Sequence, residues 1–180
     1  MSEIKVSVSG ISPLLMHKFP MDGADSPVRK RTGVPNWKDE AEKALYTDES
    51  GVIYQPSTHI ESCLKQAAKN FRMTGRRGKS YSDLVAATIE VLPDAIPHKM
   101  PKYEVDARPV VIQKARIVRY RPRFDKWELD FTLRLHDDQL PTEVIKEILD
   151  YAGLYVGIGD FRPGKGGKFG KFMVTRFEEL

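Results

Sequence analysis

The chain opens with a period of two. Ile4, Val6 and Val8 alternate with Lys5, Ser7 and Ser9, the pattern of a half-buried strand. The following "GISPLLMHKF" extends or bends that strand. From Pro20 to Pro35 the chain is rich in Gly, Pro, Asp, Arg and Lys, which reads as a mobile loop too long for a simple connection. "WKDEAEKALY" (37–46) is a short helix, and "DESG" turns into a short strand, "VIYQP". In "STHIESCLKQAAKNF" the residues Ile60, Leu64, Ala67, Ala68 and Phe71 share one helical face. Thr58 and Glu61 fit a capping box at its start. Lys65, Lys69 and Arg72 line another face, and "MTGRRGKS" ends the helix as a basic, glycine-containing loop. "ATIEVLPDAI" reads as a strand.

Residues 115–135 carry the clearest β pattern. Trp127, Leu129, Phe131, Leu133 and Leu135 alternate with Lys126, Glu128, Asp130, Thr132 and Arg134. Before them, Arg119, Arg121 and Arg123 fall on a single side, and a turn near Phe124–Lys126 predicts a hairpin. "LPTEVIKEILDYAG" is an amphipathic helix with Pro141 in its first turn and Gly153 near its end. A glycine-rich loop, "GIGDFRPGKGGKFGKF" (157–172), and a last strand close the chain. Setting aside the 19–36 insertion and an extra ribbon, the order is βαββαβ. That predicts an α+β, ferredoxin-like (RRM-like) antiparallel sheet, in one domain over 1–180. Helices cover one face of such a sheet and leave the other for a partner, with the glycine loop on that open side.

Charge changes the picture more than composition does. The net charge of the 180 residues is only +4, but four windows hold no acid: 26–38, 62–82, 107–124 and 161–176. Acids gather in 39–49 and 125–150 instead. Such segregation points to a basic surface and a polyanionic partner. The single cysteine, Cys63, excludes an internal disulfide and reads as a small buried hydrophobe, which suits a reducing cytoplasm. No run approaches the length of a membrane span, and the N-terminus lacks the pattern of a signal peptide.

The candidate chemistry follows the basic windows. In the glycine loop, Gly157, Gly159, Gly164, Gly166 and Gly167 let the backbone approach a ligand, while Arg162, Lys165, Lys168 and Lys171 meet phosphates. The loop follows a helix, which argues against a dinucleotide fingerprint or an NTPase loop. A flexible connector is the plain alternative. Lys65, Lys69, Arg72, Arg76, Arg77 and Lys79 form the densest basic run, and Arg29, Lys30 and Arg31 add another in the insertion. Arg119, Arg121 and Arg123 either track phosphates or pair across the hairpin with Glu128 and Asp130. Trp37, Phe161, Phe169 and Phe172 are candidates to stack on bases, or to pack.

Catalytic candidates are thin. His17 and His59 could serve as acid or base on RNA, and Asp22 or Asp25 could promote attack of a 2′-hydroxyl. Exposed or capping histidines and a polar loop are the plainer readings. No metal or cofactor motif is present: the four histidines lack ligand spacing.

"YQPSTHIESCLKQAAK" (54–69) and "GLYVGIGDFRPGKGGKFGKF" (153–172) resemble two segments of the RAMP superfamily, the RNA-recognition-motif-like proteins of CRISPR effector complexes. In that family a proline and small polar residues lead into the first helix with a leucine–lysine pair, here Leu64-Lys65. A glycine-rich loop joins its last helix and strand. Where the family's helix motif usually carries a glycine after the lysine, this chain has Gln66. The 19–36 insertion resembles the thumb of backbone subunits. The resemblance implies binding of single-stranded RNA (or DNA) through its backbone, and head-to-tail homo-oligomers or filaments along the strand, alone or with other effector subunits. Cleavage by a thumb aspartate, matching Asp22 or Asp25, or by a histidine is the implied alternative. A basic protein-interaction subunit is the third reading.

Overall fold

The computed structural model of the chain describes residues 2–19, 37–112 and 114–180. The elements in chain order are β1 (Ser2–Gly10), β2 (Leu14–Leu15), α1 (Trp37–Lys43), β3 (Tyr54–Pro56), α2 (Ser57–Ala68), α3 (Ser82–Thr88), β4 (Ile89–Leu92), β5 (Ala95–Pro97), β6 (Glu104–Ile112), β7 (Ala115–Phe124), β8 (Glu128–Leu135), α4 (Thr142–Tyr151) and β9 (Phe172–Glu179). They make an α+β fold of antiparallel sheets. The main sheet has the order β4-β8-β1-β9, a second β2-β7-β6, and β3 pairs β5.

The period-two residues of β1 and β8 behave as their pattern requires. Ile4, Val6, Val8, Leu129, Phe131 and Leu133 are buried on one face of the main sheet, and Ile60, Leu64, Ile145, Ile148 and Leu149 of α2 and α4 cover them. The opposite face carries ions that neutralise one another. Arg134 reaches Glu3 at 2.9 Å and Glu90 at 3.1 Å, Lys99 reaches Asp130 at 2.5 Å, and Arg176 pairs with Glu178.

Three local expectations change. The hairpin of 115–124 with 128–135 does not form. β7 pairs β6 from Ala115 to Arg123, with Arg121 opposite Asp106, while β8 lies between β4 and β1 in the main sheet. Alternation sets which side chains share a face but names no neighbour. "ATIEVLPDAI" is likewise not one strand: α3 runs into it, and the chain turns at Pro93 so that its halves join different sheets. The capping box is replaced by longer-range contacts. α2 follows Pro56 without a side-chain cap, Ser57 N–H donates to Asp94 O at 2.8 Å, and Glu61 accepts the Val91 N–H at 3.1 Å, tying α2 to β4.

The bend after β1 positions everything that follows. β2 leaves the main sheet to pair with the end of β7. It thereby brings Pro13–Met16 between the second sheet and the glycine loop.

Candidate nucleic-acid interface

α4 runs into a π turn (Ala152–Val156), from which the glycine loop departs. The loop is a packed structure. Ile158 N–H donates to Gly170 O, Gly170 N–H to Pro13 O at 2.7 Å, and Asp160 N–H to Leu15 O at 2.9 Å. A short 3₁₀ turn at Pro163–Lys165 sits at its tip. Several of its glycines are sterically required, two of them most tightly. Gly170 has φ +69°, and a Cβ there would overlap the Ile158 carbonyl oxygen; a Cβ on Gly167 would overlap that of Phe161. The loop does not lie on the open side of the sheet, as its place in the chain order led us to expect. It lies against α2, where Gln66 Nε2 donates to Gly164 O at 3.4 Å. The glutamine that replaces a glycine in the resemblance therefore holds the loop.

Loop and helix enclose a cavity of about 260 Å³, with Gln55, His59 and Cys63 on one wall and His17, Asp160 and Arg162 on the other. Arg162 is anchored by its own loop: Nη1 donates to Gly159 O at 3.0 Å. Burial, helped by the charge of Arg162, lowers the His59 pKa below the ordinary 6.5, so its ring is neutral at pH 7. Gln55 Nε2 contacts His59 Nδ1. Burial pushes the Cys63 thiol up to about 12 against the opposing pull of Arg162, which makes it an inert, buried thiol as its helix position predicted. Asp160 sits between His17, whose Nδ1 lies 3.8 Å away, and Arg121, whose Nε lies 2.7 Å away.

The basic windows separate into two kinds. Arg119, Arg121 and Arg123 all face acids, though not Glu128 and Asp130. Arg119 reaches Glu40 of α1 at 3.5 Å, Arg121 reaches Asp160, and Arg123 reaches Asp125 at 2.7 Å and Asp106 at 3.7 Å. Arg121 is buried, and its guanidinium and that of Arg108 both lie over the Phe161 ring. In contrast, Lys65, Lys69, Arg72, Arg76, Arg77, Lys79, Arg162, Lys165, Lys168 and Lys171 reach no carboxylate among the described residues. Arg72 and Arg76 make neutral hydrogen bonds, to Gly78 O and Gln139 Oε1, each at 3.0 Å. The first six of these cations stand on the C-terminal half of α2 and the turn after it, the last four on the glycine loop. Gly164 against Gln66, in the last turn of α2, joins the two groups.

Of the other candidates, Phe169 and Phe172 are buried and unavailable for stacking, Phe161 is half-buried under its two arginines, and Trp37 is exposed. Asp22, Asp25, Arg29, Lys30, Arg31 and the thumb-like 20–36 segment lie outside the described residues. Sequence reasoning missed Gln55, Gln66 and Asp160. Each lies inside a segment quoted above but carries no signal of its own there: Gln55 acts through His59 four residues on, Gln66 and Asp160 through neighbours far along the chain.

No family model matches the sequence. No curated protein matches it either. Among solved structures, a chain in a cryo-EM structure of the Type III-B Cmr-beta bound to cognate target RNA is similar in fold. The TM-score is 0.60 at 11% identity, covering 99% of this chain and 60% of that one. This chain thus spans about three-fifths of that neighbour's length. No helix among the described residues is long and apolar enough to cross a membrane.

Proposed function

We propose that the chain binds single-stranded nucleic acid, RNA above DNA, by the phosphate backbone, and that it does so as a RAMP-like subunit of the CRISPR effector type. One observation carries the reading: the cations of α2, its following turn and the glycine loop have no acidic partner among the described residues, whereas Arg119, Arg121 and Arg123 of β7 do. Desolvated or paired arginines belong to the fold, while clustered unneutralised lysines and arginines attract a polyanion and release its counterions. The strand order β4-β8-β1-β9, with α2 and α4 on one face, supports a ferredoxin-like core. The similarity to a chain of an RNA-bound Cmr complex supports an RNA ligand and assembly with other subunits; head-to-tail stacking along the strand is part of the proposal.

A salt titration with an unstructured oligoribonucleotide tests the reading. Affinity should fall steeply from low to moderate salt, and a flat profile would sink it. An endoribonuclease reading gains one specific observation, the shared cavity of His17 and His59. Labelled RNA left intact by the wild type, with His17→Ala and His59→Ala as controls, would set it aside.

A further inference from the structure

The cavity between Gln55, His59 and Arg162 has a chemistry that the phosphate reading leaves unexplained. Gln55 is only 1% exposed, yet its Oε1 has no hydrogen-bond donor among the described residues. A buried acceptor in a cavity wall that lacks a donor costs stability unless something supplies one. Its Nε2 is occupied by His59 Nδ1. An amide N–H donating to Nδ1 places the ring proton of a neutral histidine on Nε2. The residues that line the cavity therefore include an unpartnered acceptor, the buried Gln55 Oε1, and a donor, His59 Nε2–H, and Arg162 adds a fixed positive charge from the loop. That tautomer also makes His59 a hydrogen-bond donor and not a base.

A hydroxyl both donates and accepts, and a hydroxyl one ribose away from a phosphate matches the set. We infer that this cavity is a ribose-specific seat for one nucleotide of the bound strand: Arg162 holds the phosphate, Gln55 Oε1 accepts from the 2′-hydroxyl, and His59 Nε2–H donates to it. The inference rests on the single-strand reading above and adds the reason for preferring RNA. Deoxyribose leaves the buried Gln55 acceptor orphaned, the situation in which a polar site discriminates strongly.

The test compares three unstructured strands of one sequence, as RNA, DNA and 2′-O-methyl RNA, by fluorescence anisotropy at fixed low salt. RNA should bind about tenfold tighter than DNA, with the 2′-O-methyl strand at the DNA level because it cannot donate. His59→Ala and Gln55→Ala should lower RNA affinity to that of DNA and leave DNA binding within about twofold; Arg162→Ala should weaken both strands alike. His59 is only half-buried, so His59→Ala decides the matter if Gln55→Ala fails to fold. Equal wild-type affinity for RNA and DNA, or a ribose preference that survives His59→Ala, overturns the seat and leaves backbone binding standing. Binding of none of the three strands overturns the seat together with the reading beneath it.

Discussion

The arginine strand β7 and the glycine loop look alike as sequence and differ as structure. Both are basic, β7 with no acid and the loop with Asp160 alone, and Arg121 and Arg162 belong to adjoining parts of the same fold. Yet Arg121 is buried against Asp160 and Phe161, while Arg162 turns one guanidinium edge to a carbonyl of its own loop and faces a cavity. A cation with a fixed acidic partner is a structural clamp; one fixed by backbone alone keeps its charge for a ligand. Asp160 links the two, because it belongs to the loop and anchors it on β7.

Substitutions on either side of this divide should differ widely in effect. The largest should come from Gly170→Ala, which has neither the φ nor the space for a Cβ. We expect a loss of roughly 4 kcal/mol in urea unfolding, with RNA binding lost as the loop leaves its seat. Arg121→Ala should cost about 3 kcal/mol, since it removes the guanidinium that faces Asp160 and uncovers Phe161. The same denaturation assay reads it, and a change of less than about 1 kcal/mol would mean β7 does not clamp the loop.

A third test uses acid. His98 packs its ring 4.8 Å from that of Phe124, the last residue of β7, and burial lowers its pKa from 6.5 to about 4. The unfolded chain therefore takes up this proton first. Stability present above pH 6.5 is lost as pH falls toward 4, by up to about 3 kcal/mol. His98→Phe should flatten that part of the profile and cost little at pH 7, because neither ring nitrogen has a partner among the described residues.

The smaller effects concern charge alone. Replacing Arg162, Lys165 and Lys168 together with Ala should reduce the slope of log affinity against log salt by about 2, at about 0.7 for each phosphate no longer neutralised. Arg119→Ala should leave that slope unchanged and lower stability by about 1 kcal/mol at most. If Arg119→Ala changed the slope as much as the triple variant, the division between clamp and ligand-facing cations would be wrong.

Much of the fold was legible in advance. β1, β8, β9, α2 and α4 follow from periodicity, because burying one face of a strand or helix is demanded residue by residue. β6 escaped reading since Pro109 and scattered charges blur its alternation, and α3 was hidden by the β-rich run that follows it. The site was legible only in part. The glycines and cations of 157–171 announced a loop for close approach, but their place beside α2 depends on Pro13, Leu15 and Gln66, which carry no signature.

The order of residues was thus enough for these elements and for the basic character of four windows, since both are local properties. Which cations remain available was settled by tertiary structure alone. Arg119 meets Glu40 across 79 residues of chain, and Arg121 meets Asp160 on another element. Electrostatic neutralisation acts through space over a few ångströms, and no pattern along the chain records who stands that close.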